Sequence, residues 1–356
     1  MAEVFLESHN IKNLFFGFGQ YNYHLLKKLS ELPLEDIKFT VHGKDLNFLK
    51  SEFGSTYKYK KYYSLRRYPA FRIKKKYDLW HSLNQNTKIE PYNNIPYLLT
   101  VHNTSYIEDK NNYKNKENHI RFQEKLSRST AISYISEYAK SSTHQYFDVP
   151  KVPEYVIYNG NPINKITLPE NFIPKYKSNK PYLFSIGEFT DRKNFQSLIP
   201  MLKLLPDFNL ILSGKNNTNN GNKIRNLIRE QGLKDRIIIT GKIDDQNKQY
   251  YYQNCEAFVF PSLREGFGLP VIEAMTFGKP VFISNNTSLP EIGGEHAFYW
   301  DHYEAEYMAK TIMDGLSTYQ NEKSKYRKIY KERAASFTWE NTARQYLDMY
   351  KEILAL

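Results

Sequence analysis

Short apolar runs alternate with helical patterns along the whole chain, and this alternation constrains the fold more than any other feature of the sequence. The runs that predict strands in the first half are Ala2–Glu7, Ile37–His42, Tyr77–Leu83, Tyr97–His102 and Ala131–Ile135. Those in the second half are Tyr182–Ile186, Phe208–Ser213, Arg236–Thr240, Ala257–Pro261 and Pro280–Ser284. Such alternation is typical of parallel α/β units, and two sets of five strands predict two Rossmann-like sheets. Doubly wound sheets bind their ligands beyond the carboxyl ends of their strands.

The length of 356 residues agrees with two domains, at ~150 residues per domain. The stretch Asn161–Lys180 is rich in Pro, Lys and Asn and lacks hydrophobic periodicity, which predicts a linker. We therefore predict an N-terminal domain over residues 1–165 and a C-terminal domain over residues 166–338. The final helix, residues 339–356, is expected to pack back toward the N-terminal domain. With two sheets facing each other, the cleft between the domains is the expected active site.

Composition excludes several classes of protein. The single cysteine, Cys255, excludes a disulfide scaffold and a multi-cysteine zinc site. No apolar window is long enough for a spanning helix, and the N-terminus lacks the features of a signal peptide, so a cytoplasmic protein is expected. The net charge of +12 favours an anionic partner, which is a nucleic acid, a phospholipid surface or a phosphorylated substrate.

The segment Gly17–Asn22 begins like a dinucleotide-binding fingerprint and then departs from it. Asn22 stands where the third glycine belongs, and no acidic residue follows at the required distance, so hydride transfer is disfavoured. Gly17 and Gly19 still follow a predicted strand and precede a predicted helix, Tyr23–Leu32. Their backbone amides could approach a ligand at that helix N-terminus, and the alternative is a flexible turn.

The most informative stretch, Ser262–Met275, reads SLREGFGLPVIEAM and follows the apolar run AFVFP. Gly266 and Gly268 predict a loop whose amides are not shielded by side chains. Pro270 suits the first turn of a helix. A strand, a glycine loop and a helix in this order direct amides and a helix dipole at an anion.

Two carboxylates, Glu265 and Glu273, belong to the same stretch. Glu265 lies on the predicted loop and Glu273 about one turn into the helix, so both can project into one cleft. A carboxylate beside an anion site needs hydroxyls or cations to bind, and sugar hydroxyls meet that need. Taken singly, each would instead be a solvated acid on a loop or on a helix surface.

With these residues the chain resembles the retaining glycosyltransferases of family four (group 1), which have the GT-B fold. Glu265 and Glu273 resemble the E-x7-E signature of that family. Four further segments are similar in the same order: Thr100–Asn103 to "T-x-H-D", Ser133–Ser141 to the "vSe" strand and helix, Val156–Gly160 to "VIPNG", and Gly187 with Asp191–Asn194 to the phosphate-binding "G…RKN". The resemblance spans nearly the whole chain and is most specific in the C-terminal half.

The resemblance implies a role for each matching residue. Glu265 would hold donor-sugar hydroxyls, Glu273 the ribose hydroxyls, and His102 the donor sugar from the facing domain. The residues that would bind the diphosphate and the sugar are Gly17, Gly19, Gly187, Arg192, Lys193, Gly266, Phe267, Gly268 and Leu269. Arg192 and Lys193 would also neutralise the departing diphosphate. His81 ends a predicted strand too, and either a structural or an acceptor-side role is open to it.

Two positions depart from the pattern of the family. Glu188 follows Gly187, where many members carry arginine, so one cation is lost unless Arg192 replaces it. Asn103 stands where the family has aspartate after His102, which puts an acid role at that position in doubt.

The resemblance also implies the reaction. It is a retaining hexosyl transfer from a nucleotide sugar, thought to proceed by front-face attack in which the leaving phosphate accepts the proton of the acceptor. Double displacement would need a carboxylate nucleophile, and the sequence identifies none at the right place. No metal and no cofactor besides the donor are expected. GDP-mannose is the first choice of donor, and the acceptor would be a cell-surface glycan or a lipid-linked sugar. The alternatives are a UDP-sugar donor or, outside this class, a nucleic-acid-binding or non-catalytic sugar-nucleotide-binding protein.

The segment Tyr57–Lys76 holds nine basic residues, six aromatic residues and no acid. Polybasic segments are attracted to anionic headgroups, and aromatic side chains suit the interfacial layer. We therefore predict peripheral binding to the inner face of the plasma membrane, or to a lipid-diphosphate acceptor. Single-stranded nucleic acid favours the same composition, although no nucleic-acid partner is expected. A solvated basic loop is the other alternative.

Overall fold

The computed structural model divides the chain into two units. The first comprises Met1–Pro162 with Thr338–Leu356, and the second comprises Ile163–Phe337. The residues that the structure describes are 1–12, 14, 17–34, 36–104, 107, 116–163 and 168–355. The predicted boundary between residues 165 and 166 lies outside the described residues. The C-terminal helix is part of the first unit.

The first unit is built on a parallel sheet of seven strands in the order β3-β2-β1-β4-β5-β6-β7. These strands are β1 Ala2–Glu7, β2 Ile37–Gly43, β3 Lys58–Lys61, β4 Leu79–Ser82, β5 Tyr97–Val101, β6 Ala131–Tyr134 and β7 Glu154–Val156. Chain order reverses at β1, which pairs with β2 on one side and with β4 on the other. The carboxyl ends of β1 and its two neighbours therefore form the ligand-binding edge typical of doubly wound sheets.

The second unit has a parallel sheet of six strands in the order β10-β9-β8-β11-β12-β13. These strands are β8 Tyr182–Ile186, β9 Asn209–Ser213, β10 Ile237–Gly241, β11 Ala257–Phe260, β12 Val281–Ser284 and β13 Phe298–Trp300. Both faces are covered, and Leu183, Leu212 and Val259 are fully buried in its core. Burying one such side chain stabilises the fold by ~1.5–3 kcal/mol.

Helices cover the faces of both sheets. The described α-helices are α1 Gly17–Leu29, α2 Leu46–Phe53, α3 Glu117–Arg128, α4 Glu137–Tyr146, α5 Leu198–Lys203, α6 Asn219–Glu230, α7 Asp245–Asn254, α8 Leu269–Thr276, α9 Leu289–Gly293, α10 Ala305–Asn321, α11 Lys323–Ser336 and α12 Trp339–Leu354. Short 3₁₀ helices include Ser64–Arg67, Pro69–Phe71 and Asp191–Lys193. None of the described helices has the length and the apolar character needed to cross a membrane.

All ten predicted runs form strands, and the prediction of two Rossmann-like sheets is confirmed. Three further strands, β3, β7 and β13, were not expected from the sequence. Each lies at the edge of its sheet and has only three or four residues. Strands β7 and β13 are too short to show an apolar run, and β3 is charged, with the sequence KYKK, as edge strands often are.

The predicted start of the first helix is wrong. Helix α1 begins at Gly17 rather than at Tyr23, so Gly17 and Gly19 belong to its first turn and not to a loop before it. The apolar face of the helix already begins at Gly19 and Tyr21, which are buried, and continues to Leu29. Gly17 is exposed, and a Cβ there would contact nothing.

Helix α12 packs in the first unit through buried tyrosines. The Tyr346 hydroxyl accepts a hydrogen bond from the Tyr21 hydroxyl at 2.6 Å. The Tyr350 hydroxyl lies 2.7 Å from Nδ1 of His81, whose Nε2 lies 2.7 Å from the Thr100 hydroxyl. Burial and, to a smaller extent, the nearby His102 lower the pKa of His81 to about 3. His81 therefore joins α12 to the sheet, which favours the structural role over the acceptor-side role.

Candidate active site

The predicted site of the second unit lies at the carboxyl ends of β8 and β11. These two strands are neighbours in the sheet, and chain order reverses at β8. Gly187 follows β8 directly, and the loop that contains Glu265 and Gly266 follows β11. Gly187 and the loop with Glu265 and Gly266, which the sequence predicts to form one site, are therefore adjacent. They lie where the strand order reverses, which is where such sheets bind ligands.

The 3₁₀ turn Asp191–Lys193 is tied to the loop after β11. The Arg192 carbonyl accepts hydrogen bonds from the Leu263 amide at 2.8 Å and from the Ser262 hydroxyl at 3.2 Å. The Arg192 guanidinium donates to the Arg264 carbonyl at 2.5 Å. These contacts join segments about 70 residues apart in sequence, so the basic turn and the acidic loop are held as one unit.

Glu265 lies at the centre of the charge cluster. Its Oε1 is 2.5 Å from Nζ of Lys193 and 3.0 Å from the Arg192 guanidinium, and it accepts a hydrogen bond of 2.6 Å from the Ser262 hydroxyl. Burial raises the pKa of this carboxyl, but the charges of Arg192 and Lys193 outweigh burial and lower the pKa to about 2. Glu265 is therefore an ionised carboxylate at physiological pH, and its three contacts are all made through Oε1.

Lys193 is a buried cation, and the residue is only 7% exposed. Its Nζ lies 4.5 Å from the centre of the Phe260 ring, beside the contact with Glu265. Burial lowers the pKa of Lys193 to about 8, while the carboxylate of Glu265 opposes that shift. The ammonium is thus charged at neutral pH and loses its proton at a pH far below that of an ordinary lysine.

The lowered pKa of Lys193 predicts an alkaline limit on activity. If Lys193 must be charged to bind the diphosphate, kcat/KM for the donor falls as pH rises through about 8, because kcat/KM reports the free enzyme. We expect Lys193→Arg to remove this limb, since arginine keeps its charge over the whole range. Initial rates between neutral and moderately alkaline pH test this, and an identical alkaline limb in the arginine variant would exclude Lys193 as its source.

Glycine is required where backbone and side chains approach each other around the turn. A Cβ on Gly187 would lie 3.1 Å from Cε of Lys193. A Cβ on Gly214, whose φ is 126°, would lie 1.9 Å from the Gly187 carbonyl oxygen. Gly268 has a φ of 119° and caps α8, which begins at Leu269. The absence of a side chain lets the main chain of Gly187 lie close to Lys193, and lets Gly268 adopt the positive φ at which α8 begins.

Side chains that follow β12 support the glycine loop. The Thr287 hydroxyl accepts a hydrogen bond of 3.0 Å from the Glu265 amide. The Ser288 hydroxyl contacts the carbonyls of Glu265 at 3.0 Å and Phe267 at 2.8 Å. Phe267 also packs edge-on against Phe337. Sequence reasoning missed Thr287 and Ser288, and their only signal was a position just after a predicted strand.

Glu273 is buried in a hydrogen-bond network of its own. Its Oε2 accepts a hydrogen bond of 2.8 Å from the Tyr252 hydroxyl, and its Oε1 lies 3.3 Å from Nζ of Lys248. The Glu265 carboxylate contacts Lys193, Arg192 and Ser262, so the two carboxylates have different partners. If Glu273 binds ribose, Tyr252 and Lys248 position its carboxylate for that contact.

We expect Glu273→Gln to weaken binding of the nucleoside diphosphate by about tenfold or more, because a hydrogen bond to a charged group contributes ~1.5–3 kcal/mol. Isothermal titration calorimetry measures the affinity. Lys248→Met is the control, since it breaks the ion pair and leaves the carboxylate in place. Equal weakening in both variants would mean that Glu273 acts through its ion pair, and unchanged affinity in Glu273→Gln would contradict the ribose assignment.

Glu188 is paired with a cation that the sequence did not single out. Nζ of Lys215 donates to Glu188 Oε1 at 2.7 Å, and the Phe189 amide donates to the Lys215 carbonyl at 2.9 Å. Lys215 follows β9 by two residues, so it too belongs to the carboxyl edge of the sheet. The acidic residue that replaces the usual arginine after Gly187 is therefore balanced by a lysine from the neighbouring strand.

His102 of the first unit follows β5 and is buried. Its Nε2 donates to the Leu83 carbonyl at 2.8 Å, and the rings of Phe18 and Tyr21 lie edge-on to it at 4.7 and 4.6 Å. Burial lowers the pKa of His102 to about 4, so the ring is neutral at physiological pH. Since Nε2 carries the proton, Nδ1 is the acceptor nitrogen, which suits a sugar hydroxyl.

A second cluster of ionisable side chains lies at the carboxyl ends of β1 and β2. Oε1 of the buried Glu7 is 2.6 Å from Nδ1 of His9 and 3.3 Å from Nδ1 of His42. Nε2 of His42 lies 3.3 Å from the Arg66 guanidinium. Sequence reasoning missed this cluster because its members are spread over 60 residues. In the described part of the chain, no group of three or more His, Cys, Asp or Glu side chains is arranged to hold a metal ion.

Comparisons with known proteins agree with this architecture. The chain is 26% identical to O-antigen chain mannosyltransferase B of Escherichia coli, in an alignment of 399 positions that covers 98% of this chain and 99% of that protein. Its structure is similar to sucrose-phosphate synthase from Thermosynechococcus elongatus, with a TM-score of 0.76, 20% identity and full coverage of both chains. It is also similar to Anabaena Alr3699/HepE in complex with UDP-glucose, with a TM-score of 0.73 and 15% identity over 99% of this chain and 100% of that one.

The chain has the fold of these solved structures, which is the GT-B fold. The family model described as "Glycosyl transferases group 1" matches residues 169–336, which contain the Lys193–Glu265 cluster. These residues, a little under half of the chain, are therefore similar to the group 1 glycosyl transferases. The resemblance stated from the E-x7-E signature is confirmed, and the placement of the active site between the two domains stays a prediction.

Proposed function

We propose that this chain transfers mannose from GDP-mannose to a cell-surface glycan or a lipid-linked sugar, with retention of anomeric configuration. The observation that carries the proposal is the cluster of Lys193, Arg192 and Glu265 beside Gly187. Two cations and a carboxylate at the carboxyl end of β8 can bind the diphosphate and the sugar of a nucleotide sugar. The cations suit the diphosphate, and the carboxylate suits the hydroxyls of the sugar.

The proposed mechanism depends on charges that are in place before the reaction begins. Negative charge develops on the departing diphosphate, and the buried ammonium of Lys193 with the guanidinium of Arg192 stabilises it without reorganisation. Glu265 keeps Oε1 on these cations and offers Oε2 to a hydroxyl of the sugar. In a front-face reaction, the leaving phosphate oxygen takes the proton of the acceptor hydroxyl. The site then acts by positioning and electrostatic stabilisation.

The donor is proposed from the name of one relative, an O-antigen chain mannosyltransferase. A UDP-sugar is the alternative, because a protein of the same fold is known in complex with UDP-glucose. Transfer assays with GDP-mannose, UDP-glucose and UDP-galactose, each on a lipid-linked acceptor, decide between them. NMR of the product reads the anomeric configuration. The same assays in EDTA test the proposed metal independence, and activity that returns only with magnesium or manganese contradicts it.

A nucleic-acid-binding or non-catalytic role is the alternative outside this class. Slow hydrolysis of the donor without acceptor distinguishes an enzyme from a protein that only binds sugar nucleotides. Binding of single-stranded RNA in the absence of donor hydrolysis would favour the nucleic-acid role.

We propose that the segment Tyr57–Lys76 binds the inner face of the plasma membrane and so places the protein at the cytoplasmic surface. Tyr63, Leu65, Tyr68 and Phe71 are about half exposed, and all lie in or beside the two 3₁₀ helices of this segment. The Arg66 and Arg67 guanidinium groups lie 5.2 and 4.9 Å from the rings of Tyr63 and Tyr68. Exposed aromatic rings beside cations suit an anionic interface.

We expect Tyr68→Ser/Phe71→Ser to abolish most co-sedimentation with phosphatidylglycerol vesicles, because both rings are exposed and leave no buried space behind. Binding of the nucleoside diphosphate should not change. The matched control is Tyr176→Ser, which removes an exposed tyrosine from the second unit. Undiminished vesicle binding in the double variant would contradict the membrane assignment, as would tight binding of RNA by a wild type that ignores anionic vesicles.

A further inference from the structure

The first unit contains a cavity of about 310 Å³ that is separate from the charge cluster around Lys193 and is lined in part by the segment Tyr57–Lys76. Its volume lies at the lower end of the ~300–1,000 Å³ typical of ligand pockets. Ligand pockets are ordinarily lined by apolar side chains, but every residue that lines this one is charged. The six basic residues are Arg67, Arg72, Lys88, Arg121, Lys125 and Arg128, and three glutamates complete the lining.

The glutamates are too few to neutralise the cations. Oε1 of Glu90 lies 3.0 Å from Nζ of the buried Lys125, and its Oε2 accepts from Arg128 at 2.9 Å. Oε1 of Glu117 lies 2.8 Å from both Lys88 and Arg121. Even with Glu124 counted, six cations face three carboxylates, so the cavity carries three excess positive charges.

Four of the six cations are arginines. The Nε atoms of Arg72 and Arg121 are buried and have no hydrogen-bond partner among the described residues, so these two guanidinium groups are not fully paired within the protein. Arginine presents its donors in a planar fork that matches phosphate oxygens. An excess of cations that consists mostly of arginine therefore indicates a phosphate group rather than a neutral sugar.

The position of the cavity indicates what carries the phosphate. Arg67 and Arg72 lie on either side of Tyr68 and Phe71, the exposed aromatic residues of the segment Tyr57–Lys76. A phosphate in the cavity would thus lie a few residues from side chains suited to lipid. Free phosphate would need no such surroundings, whereas a phosphate ester at the end of a lipid chain would use both features.

We propose that this cavity binds the phosphate or diphosphate group of a lipid through Arg67, Arg72 and Arg121. The lipid is either the diphosphate-linked acceptor, which rests on the function proposed above, or an anionic phospholipid whose headgroup docks the protein at the membrane. Both sources present the same chemistry to the arginines. The ion pairs of Glu90 and Glu117 keep the other cations in position.

Calorimetric titration with inorganic pyrophosphate tests the site without any transfer reaction. The proposed donor site should also bind pyrophosphate, so the wild type should show two sites. Arg67→Gln/Arg72→Gln should lose the site in the cavity, and Lys193→Met should lose the donor site. We expect the cavity affinity to fall by about tenfold or more for each arginine removed. Lys44→Gln/Lys50→Gln is the control, because it removes two exposed charges from the same unit.

Pyrophosphate binding to Arg67→Gln/Arg72→Gln that equals binding to the control overturns the proposal. Where the cavity site is present, two probes identify the lipid. Competition by farnesyl diphosphate at lower concentration than pyrophosphate supports a lipid-linked acceptor, and competition by phosphatidylglycerol vesicles alone supports a headgroup. Both forms of competition should be lost in Arg67→Gln/Arg72→Gln. If the transfer assays fail while pyrophosphate binding persists, the function proposed above is wrong and the phosphate site stands.

Discussion

Replacing Lys193 by methionine is expected to lower kcat by about 10²–10³-fold, the loss found when one preorganised donor to a developing anion is removed. Lys193 is the buried cation of the cluster, held 2.5 Å from Glu265 and over the Phe260 ring. Water cannot replace a charge at a 7% exposed position. Methionine keeps the volume of the side chain and removes only its charge.

The comparison that isolates the charge uses two other variants. Lys203→Met changes an exposed lysine at the end of α5 and should leave kcat unchanged. Lys193→Arg keeps the positive charge and should recover part of the activity. A Lys193→Met enzyme with the turnover of Lys203→Met would show that Lys193 has no role in the reaction. Thermal unfolding of each variant separates lost activity from lost structure.

The fold was predictable wherever a strand of four or more residues is rich in apolar side chains. All ten strands found this way lie within the two sheets, including β10 at the edge of the second one. A short or charged edge strand gives no such signal, which is why β3 with its KYKK sequence was missed. The start of α1 was missed for a different reason. Two glycines suggested a loop, but the apolar face that begins at Gly19 extends the helix to Gly17.

The candidate site was predictable as a set of residue types and not as a set of contacts. The resemblance of Gly187, Lys193 and Glu265 to the "G…RKN" and E-x7-E segments of the family implied a phosphate and sugar site. Nothing in the sequence shows that Lys193 and Glu265, 72 residues apart, form a buried ion pair. Thr287 and Ser288, which support the loop, are common residue types in an ordinary position. Their roles arise from the adjacency of β11 and β12.

The cavity proposed to bind phosphate was even less predictable from the sequence, because its lining comes from distant segments of the chain. Half of its cations come from α3 and the others from the segments that contain Arg67, Arg72 and Lys88. From the sequence, the segment Tyr57–Lys76 indicated only an excess of positive charge near aromatic side chains. The fold adds the concave shape, the two ion-paired glutamates and the four arginines gathered around the cavity, and these together distinguish a binding site from a solvated basic loop.

Replacing Glu265 by glutamine is expected to lower kcat/KM for the donor by about 10²-fold or more at neutral pH, for two separate reasons. The variant loses the charged acceptor for a sugar hydroxyl. It also removes the carboxylate that opposes the effect of burial on Lys193, so the pKa of Lys193 falls below its value of about 8. The lysine then loses its charge within the physiological range, and the diphosphate loses a cation.

The second reason gives Glu265→Gln a signature that simple loss of a contact would not produce. The alkaline limb of kcat/KM should move to lower pH, because the proton leaves Lys193 more readily once its anionic partner is gone. In Glu265→Gln/Lys193→Arg the limb should vanish, since the guanidinium stays charged. Glu265→Asp keeps the negative charge and should leave the limb near that of the wild type. A limb at the wild-type pH in Glu265→Gln would mean that Glu265 does not control the charge of Lys193, and the coupling between these two residues would have to be abandoned.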